Sequence, residues 1–357
     1  MDEADIRELL GTVEDPDLGD DIVALNLVES VTVDGADVRV ELGLSAVGSP
    51  TEAGLIDTVR NVLEDEGLSP TVEPAGRGGD EGALGAENLG PGTETEAPLP
   101  GVENVIVVAS GKGGVGKSTI SVNLAAGLSD LGADVAIFDS DMYGPNVPRM
   151  LGVTGRPEAT PEETILPPEA HGMKVMSIGL MIGEDDPVIW RGAMVHNTIT
   201  QLIDDVQWGD LDYLVIDLPP GTGDTQLTLL QSIPITGSVI VTTPQDVALE
   251  DARRGLQMFA KHDTPVLGIV ENMSTFVCPD CGSTHDIFGK GGGEDFAAEN
   301  DMPFLGAIPI DPAIRSGGDE GAPIVMDQDS ETGAAFREMV RDTADMTGIL
   351  NRRERSQ

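Results

Sequence analysis

Ser110-Gly111-Lys112-Gly113-Gly114-Val115-Gly116-Lys117-Ser118-Thr119 has the composition needed to hold a chain of phosphates. The run fits G-x-x-x-x-G-K-[ST] and stands between an apolar stretch, Val105-Ile106-Val107-Val108-Ala109, and a helical pattern over 120–131. Backbone N–H groups can wrap an anion closely only where no Cβ intervenes, which is the work of the glycines. Lys117 then reaches the β- and γ-phosphates, Ser118 offers its hydroxyl to Mg²⁺, and the helix N-terminus adds partial positive charge. Lys112, just after the first glycine, can point away from its own loop. Asp217 ends the apolar run Tyr213-Leu214-Val215-Ile216 and fits a carboxylate holding a Mg²⁺-bound water. Asp139 and Asp141 follow another apolar run and are expected to emerge on the same edge. One of that pair would orient or deprotonate the attacking water, and Asp141, further along its loop, is the better placed.

Cys278-Pro279-Asp280-Cys281 contains both cysteines of the chain. Two thiolates at this spacing can share one metal, but Zn²⁺ or an iron–sulfur cluster usually takes four ligands. His285 adds at most one. A C₂ dimer would bring two pairs together as a Cys₄ site, whereas a buried or redox-active dithiol is the competing reading.

The elements that must position these residues follow from apolar periodicity. Short Val/Ile-rich runs at 102–109, 134–138, 174–178, 213–216, 237–241, 266–270 and 304–307 read as strands buried on both faces. Amphipathic stretches between them read as crossover helices. The expected fold is α/β: a doubly wound, mostly parallel P-loop NTPase sheet with ligands at the carboxyl ends of its strands. A small α+β domain precedes it over 1–75, with a helix at 6–10, strands at 26–33 and 37–44 around the Asp34-Gly35 turn, and a helix at 52–66. Residues 76–100 are Gly, Pro, Glu, Ala and Thr, the composition of a flexible linker. The ATPase domain is assigned 101–351, its last helix 334–350, and 352–357 a tail. Trp190, Arg191 and His196 give no chemistry, and packing is the expected role.

The chain of 357 residues carries 63 acidic and 20 basic side chains, a formal charge of −43. That balance disfavours nucleic acid and anionic lipid as partners. With 39% hydrophobic residues the chain is still expected to fold, which suggests a halophile-type surface whose self-repulsion is damped where salt shortens the Debye length to roughly 3 Å. Dialysis against low salt is expected to cost structure, and an unchanged circular dichroism spectrum would contradict this. No segment approaches the roughly 20 apolar residues of a membrane span, and no secretory leader is evident, so a cytoplasmic protein without a membrane partner is expected.

Together the phosphate loop, Asp139-Ser140-Asp141-Met142-Tyr143-Gly144-Pro145-Asn146-Val147-Pro148, Asp217-Leu218-Pro219-Pro220-Gly221-Thr222-Gly223-Asp224 and the Cys-Pro-x-Cys pair resemble the Mrp/ApbC iron–sulfur cluster carrier ATPases over roughly residues 100–350. The resemblance implies a homodimer that binds and hydrolyses ATP with Mg²⁺ and hands a 4Fe-4S cluster from donor or scaffold proteins to recipient apoproteins. It implies that Lys112 contacts phosphate on the partner subunit, that Asp141 lies in a first switch and Asp217 to Asp224 in a second, and that Cys278 and Cys281 of two subunits bridge the cluster. It further implies that Asn272 and the Pro309-Ile310-Asp311 segment flank adenine. The first 75 residues are similar to the iron–sulfur assembly domain often fused to such ATPases, through Asp15-Pro16-Asp17-Leu18-Gly19 and Ile22-Val23-Ala24-Leu25-Asn26-Leu27-Val28. Ser49 stands where that domain typically has a cysteine. Serine is a poor iron ligand, which leaves partner docking as the implied role. Partition or septum-positioning ATPases share the P-loop but need a basic face or a membrane helix, and give Cys-x-x-Cys no task. Structural Zn²⁺ between subunits is the other alternative.

Overall fold

The computed structural model describes residues 1–75, 98–142, 144–161, 164–181, 192–221, 223–278 and 281–356. The chain divides into two compact units, Met1–Leu84 with Ala344–Gln357 and Gly85–Thr343.

In the smaller unit the hairpin Val28–Asp34 and Asp37–Leu42 forms around Gly35, whose φ of +68° is the reason a glycine turns the chain there. The helix Pro50–Asp65 crosses over to a third strand, Ser69–Pro74, parallel to Asp37–Leu42. The sequence reading missed that strand because Pro70 and Pro74 depress strand propensity; on a sheet edge the missing N–H groups cost little. Ile6, Leu10, Val40, Leu42, Val59 and Leu63 are buried in this unit's core.

The C-terminal residues also differ from expectation. The last helix runs Glu331–Arg355, so 352–355 are helical rather than a tail. Arg352 is fully buried, with Nε 2.6 Å from Asp15, one terminal nitrogen 2.8 Å from Asp17 and the other 3.1 Å from Glu52. The Ser49 hydroxyl bonds to Asp345, whose carboxylate also accepts from Thr51 N–H at 3.0 Å, and Asn351 donates to Ser45 at 2.8 Å. Ser49 also caps the helix Pro50–Asp65, accepting from Glu52 N–H. Its hydroxyl therefore serves as a structural joint in this unit.

The larger unit is built on a nine-stranded sheet. Its order is Thr284–His285, Val266–Val277, Gly237–Thr242, Val102–Ser110, Leu211–Asp217, Val135–Asp139, Met173–Ser177 and Glu169–Ala170, with Phe304–Ile310 also paired to Val266–Val277. All pairings are parallel except the two short edge strands Thr284–His285 and Glu169–Ala170. The expected α/β class and mostly parallel sheet are what the chain adopts. From Val102–Ser110 the chain winds outward first to one side and later to the other, the doubly wound pattern that opens a crevice at the strand ends. Val107, Phe138, Leu214, Ile216 and Ile240 form the buried interior, with Trp208 edge-on to Phe138 at 6.1 Å. Among the described residues no helix is long and apolar enough to cross a membrane.

Residues 76–97 of the expected linker, Trp190, Arg191, the side chain of His196, Tyr143, Thr222, the side chain of Asp224, Pro279 and Asp280 lie outside the described residues.

Candidate phosphate and thiol sites

The strand Val102–Ser110 delivers the loop 111–116, and the helix Lys117–Asp130 starts directly behind it. Gly114 and Gly116 take φ of +81° and +86°, conformations costly for any other residue. A Cβ on Gly114 would meet nothing within 4 Å and one on Gly113 only the Pro220 ring, so the inner face of the loop is open. Gly111 and Gly116 answer a different demand. A Cβ on Gly111 would collide with the Asp251 backbone, and one on Gly116 with the Asn272 amide. Half of the glycines expected to make room for phosphate thus make room for the protein itself.

Behind the loop three side chains converge on Asp217, which is fully buried. Lys117 Nζ lies 2.7 Å from Asp217 Oδ1, an ionic contact without the direction of a hydrogen bond. Ser118 donates to Oδ2 at 2.6 Å, and Ser121 to Oδ1 at 2.5 Å. Ser121 was missed in the sequence; its signal was a hydroxyl one turn after Ser118 on an otherwise apolar helix face.

Asp139, paired in register with Asp217 across adjacent strands, is equally buried and accepts N–H groups of Asp141 and Val147 at 3.0 and 3.1 Å. Burial first, and the Asp217 charge second, push its carboxyl from 3.8 up to about 7. Two buried carboxyls facing one lysine are a site short of positive charge, which is the fit expected of a Mg²⁺ position with Ser118 as a further oxygen ligand. Asp141 follows on the surface side, partly exposed. Lys112 is also partly exposed, and its carbonyl accepts from Ser110 Oγ at 3.0 Å. Thr119 contributes its carbonyl, which accepts from Asn123. The segment after Asp217 is laced to the same edge, with Gly221 N–H donating to Ser110 O at 3.0 Å and Gln226 donating to Pro219 O at 2.5 Å.

Asn272 is brought to the loop, donating to Val115 O at 2.8 Å. A cavity of about 600 Å³ lies beside its strand, lined by Ser274, Lys290, Pro309, Asp311 and Glu331 among others. Both Asp311 carboxylate oxygens are engaged, by Ala313 N–H and Thr332 Oγ1, so Asp311 shapes the cavity wall as a helix cap.

The cysteines do not sit in an open loop after residue 270. The strand Val266–Val277 continues to the residue before Cys278, and Val277 and Phe276 pair antiparallel with Thr284 and His285. The Cys-x-x-Cys is therefore the tip of a hairpin. Polar residues from 271 to 275 hid this continuation; Glu271, Asn272 and Ser274 are buried there because each is hydrogen-bonded, Glu271 accepting from Gly291 and Gly293 N–H, Asn272 donating to Val115 O and Ser274 to Ile308 O. Cys278 N–H donates to Ser283 O at 2.9 Å and Gly282 N–H to Cys278 O at 2.8 Å, which curls the tip. Cys278 is partly buried and Cys281 exposed. Hydrogen bonds with the Ser283 hydroxyl and backbone, then with Cys278, hold the Cys281 thiol below its ordinary value, favouring the thiolate that binds metal. His285 stacks on Phe276 instead, and among the described residues no third His, Cys, Asp or Glu joins the pair.

Comparison with known proteins places the chain among iron-transfer P-loop NTPases. A family model described as NUBPL iron-transfer P-loop NTPase matches residues 101–344, and one described as iron-sulfur cluster assembly protein matches residues 3–69. An iron-sulfur cluster carrier protein of Synechocystis is 43% identical over 92% of this chain and 93% of its own. One of Deinococcus radiodurans is 42% identical over 98% and 96%. Among solved structures, a nucleotide-binding protein from Archaeoglobus fulgidus in complex with ADP has a TM-score of 0.56 and 38% identity, covering 63% of this chain and 88% of that one.

Proposed function

Because the chain belongs to the NUBPL iron-transfer P-loop NTPase family, we propose that it is a homodimeric ATPase that carries an iron–sulfur cluster between two Cys278/Cys281 pairs and delivers it to apoproteins. The observation that carries this reading is a single strand: Val266–Val277 holds the phosphate loop through Asn272 and presents Cys278 at its end. On this reading nucleotide and cargo share one strand.

Lys117 leaves Asp217 for the β- and γ-phosphates when ATP enters, and Ser118, Asp139 and Asp217 would hold Mg²⁺, which would neutralise phosphate charge. Asp141 takes the proton of the attacking water or orients it. Lys112 reaches the phosphate of the partner subunit, and Asn272 with the Pro309–Asp311 wall flanks adenine. The γ-phosphate orders the segments after Asp139 and Asp217, and its loss releases them. The smaller unit docks donor or recipient proteins.

Anaerobic reconstitution with iron and sulfide tests this. Wild type is expected to gain visible absorbance and iron that Cys278→Ala does not retain, whereas a colourless protein holding zinc would favour the structural-metal alternative. Equal iron in both would overturn the reading.

The Asp139 carboxyl adds a pH dependence. Its folded value of about 7 lies above the unfolded 3.8, so the stability it contributes is present below about pH 4 and is lost as pH rises through about 7. Mg²⁺ with nucleotide displaces that proton, so its affinity should rise with pH up to about 7 and then level off. Mg²⁺–nucleotide titrations across this range, beside Asp139→Asn, check this; a wild-type profile as flat as the variant's contradicts it.

A further inference from the structure

Glu271 belongs to neither the phosphate loop nor the thiol pair, yet its side chain is buried, with 1% of its surface exposed. Its two oxygens accept from Gly293 N–H at 2.6 Å and Gly291 N–H at 3.2 Å. Those groups stand at the start of the helix Gly292–Glu299, whose own N-cap, Gly291, has no side chain to serve them. A carboxylate 20 residues earlier in the chain, on the strand Val266–Val277, supplies the cap instead. The glycines make room for it: a Cβ on Gly293 would stand 2.8 Å from Glu271 Cβ, and one on Gly292 2.7 Å from Pro244 O. Between the strand end and this cap lies the thiol hairpin. Its ladder is two residue pairs, Phe276 with His285 and Val277 with Thr284, and residues 281–290 are exposed throughout. So short a ladder is marginal by itself, and the returning leg depends on where its far end is fastened. We propose that Glu271 is the positioning residue of the thiol hairpin, and that the Glu271–Asn272 pair ties the firmness of that hold to nucleotide occupancy of the phosphate loop.

This rests on the cluster-carrying reading and names the residue that holds its thiols in place. Successive side chains of a strand point to opposite faces, so Glu271 reaches the helix start while Asn272 reaches the loop, donating to Val115 O at 2.8 Å. The next residue, Met273, has a φ of +57° and donates its N–H to Asn272 Oδ1 at 2.9 Å. Pairing with Phe304–Ile310 breaks register from Asn272 to Phe276. A bulky side chain held in the left-handed region is strained, and such strain persists only where the surroundings fix the backbone. Loop contact, kink and cap thus occupy three consecutive residues. An occupied loop has its N–H groups committed to phosphate, which fixes Val115 O and through it Asn272. Glu271, one peptide away, is then held at its best distance from the Gly291 and Gly293 N–H groups. Because hydrogen bonds weaken steeply when misaligned, small shifts of the loop suffice to loosen the returning leg.

The test uses the full-length chain, loaded anaerobically with iron and sulfide, as wild type, Glu271→Ala, Glu271→Gln and Cys278→Ala, with and without a saturating non-hydrolysable ATP analogue. Amide exchange over residues 284–293 and the rate at which an iron chelator strips the cluster are read together. In wild type the analogue should raise that protection and slow the stripping. Glu271→Ala should lose about ten-fold in protection there, strip about ten-fold faster and no longer respond to the analogue, while Leu211–Asp217 stays protected. Glu271→Gln keeps one acceptor and should fall between the two, which preserves the test if the alanine variant does not fold. A glutamate that only stabilised the fold would leave the response to the analogue intact. A wild type without that response, or variants that respond as wild type does, would overturn the proposal; where Cys278→Ala still loses its iron, the cluster reading stands regardless. Iron retained by Cys278→Ala would instead remove the cluster reading, and amide exchange of the iron-free chains would then decide the hold of Glu271 by itself.

Discussion

Lys117→Ala is expected to lower ATP turnover by roughly 10²- to 10³-fold, the usual consequence of removing a preorganised charge from the phosphates in the transition state. The nucleotide-free protein gives this substitution a second effect. Lys117 Nζ sits 2.7 Å from Asp217, beside an Asp139 whose carboxyl already stands at about 7. Without the ammonium, both buried carboxyls face each other uncompensated, and the proton on Asp139 should be held to still higher pH. Lys117→Ala should therefore lose more stability above about pH 7 than below it, measured as a thermal midpoint, and Mg²⁺ should restore part of the loss. Iron loading should persist, since both thiols belong to the hairpin tip. Turnover within about two-fold of wild type would contradict the assigned role of Lys117.

Arg352→Ala should be the most damaging single change in the smaller unit, at about 3–5 kcal/mol. The guanidinium is fully buried and serves Asp15, Asp17 and Glu52 together. Burial already pushes Glu52 and Asp17 above their ordinary values, with Arg352 among the groups opposing that shift. Truncation removes the buried cation that pairs with all three and leaves three carboxyls to be protonated or exposed. A unit of this size has on the order of 5–10 kcal/mol to lose, so local unfolding follows. Amide hydrogen exchange should show the strands Val28–Asp34 and Asp37–Leu42 losing protection while Leu211–Asp217 keeps it. Combining Arg352→Met with Asp15→Asn and Glu52→Gln should recover much of the stability, because the penalty comes from unpaired charge. Protection unchanged in Arg352→Ala would show that the buried ion group carries little of the unit's stability.

The phosphate loop was legible because its chemistry imposes both composition and context: strand, glycines, lysine, hydroxyl and helix occur in one order. The sheet was legible because strands buried on both faces become uninterrupted Val/Ile runs. Where these pressures relax, the sequence says less. Ser69–Pro74 hides as a strand because an edge tolerates proline, and the end of Val266–Val277 hides because its buried Asn272 and Ser274 find hydrogen-bond partners in distant segments. Arg352 was lost among charges at the chain end. Nothing local distinguishes it from Arg353 or Arg355; its partners are 300 to 337 residues away. Ser121 and the Asn272–Val115 contact likewise arise only once helix and strands are packed. Ser49 was noticed as an absent thiol, and its actual work, capping a helix and binding Asp345, depends on a segment almost three hundred residues distant.

The sharing of one cluster by two chains is tested most directly by native mass measurement of the anaerobically loaded protein with a non-hydrolysable ATP analogue. The account predicts two chains with one 4Fe-4S cluster and a nucleotide on each chain. Single chains that each hold a complete cluster would contradict it.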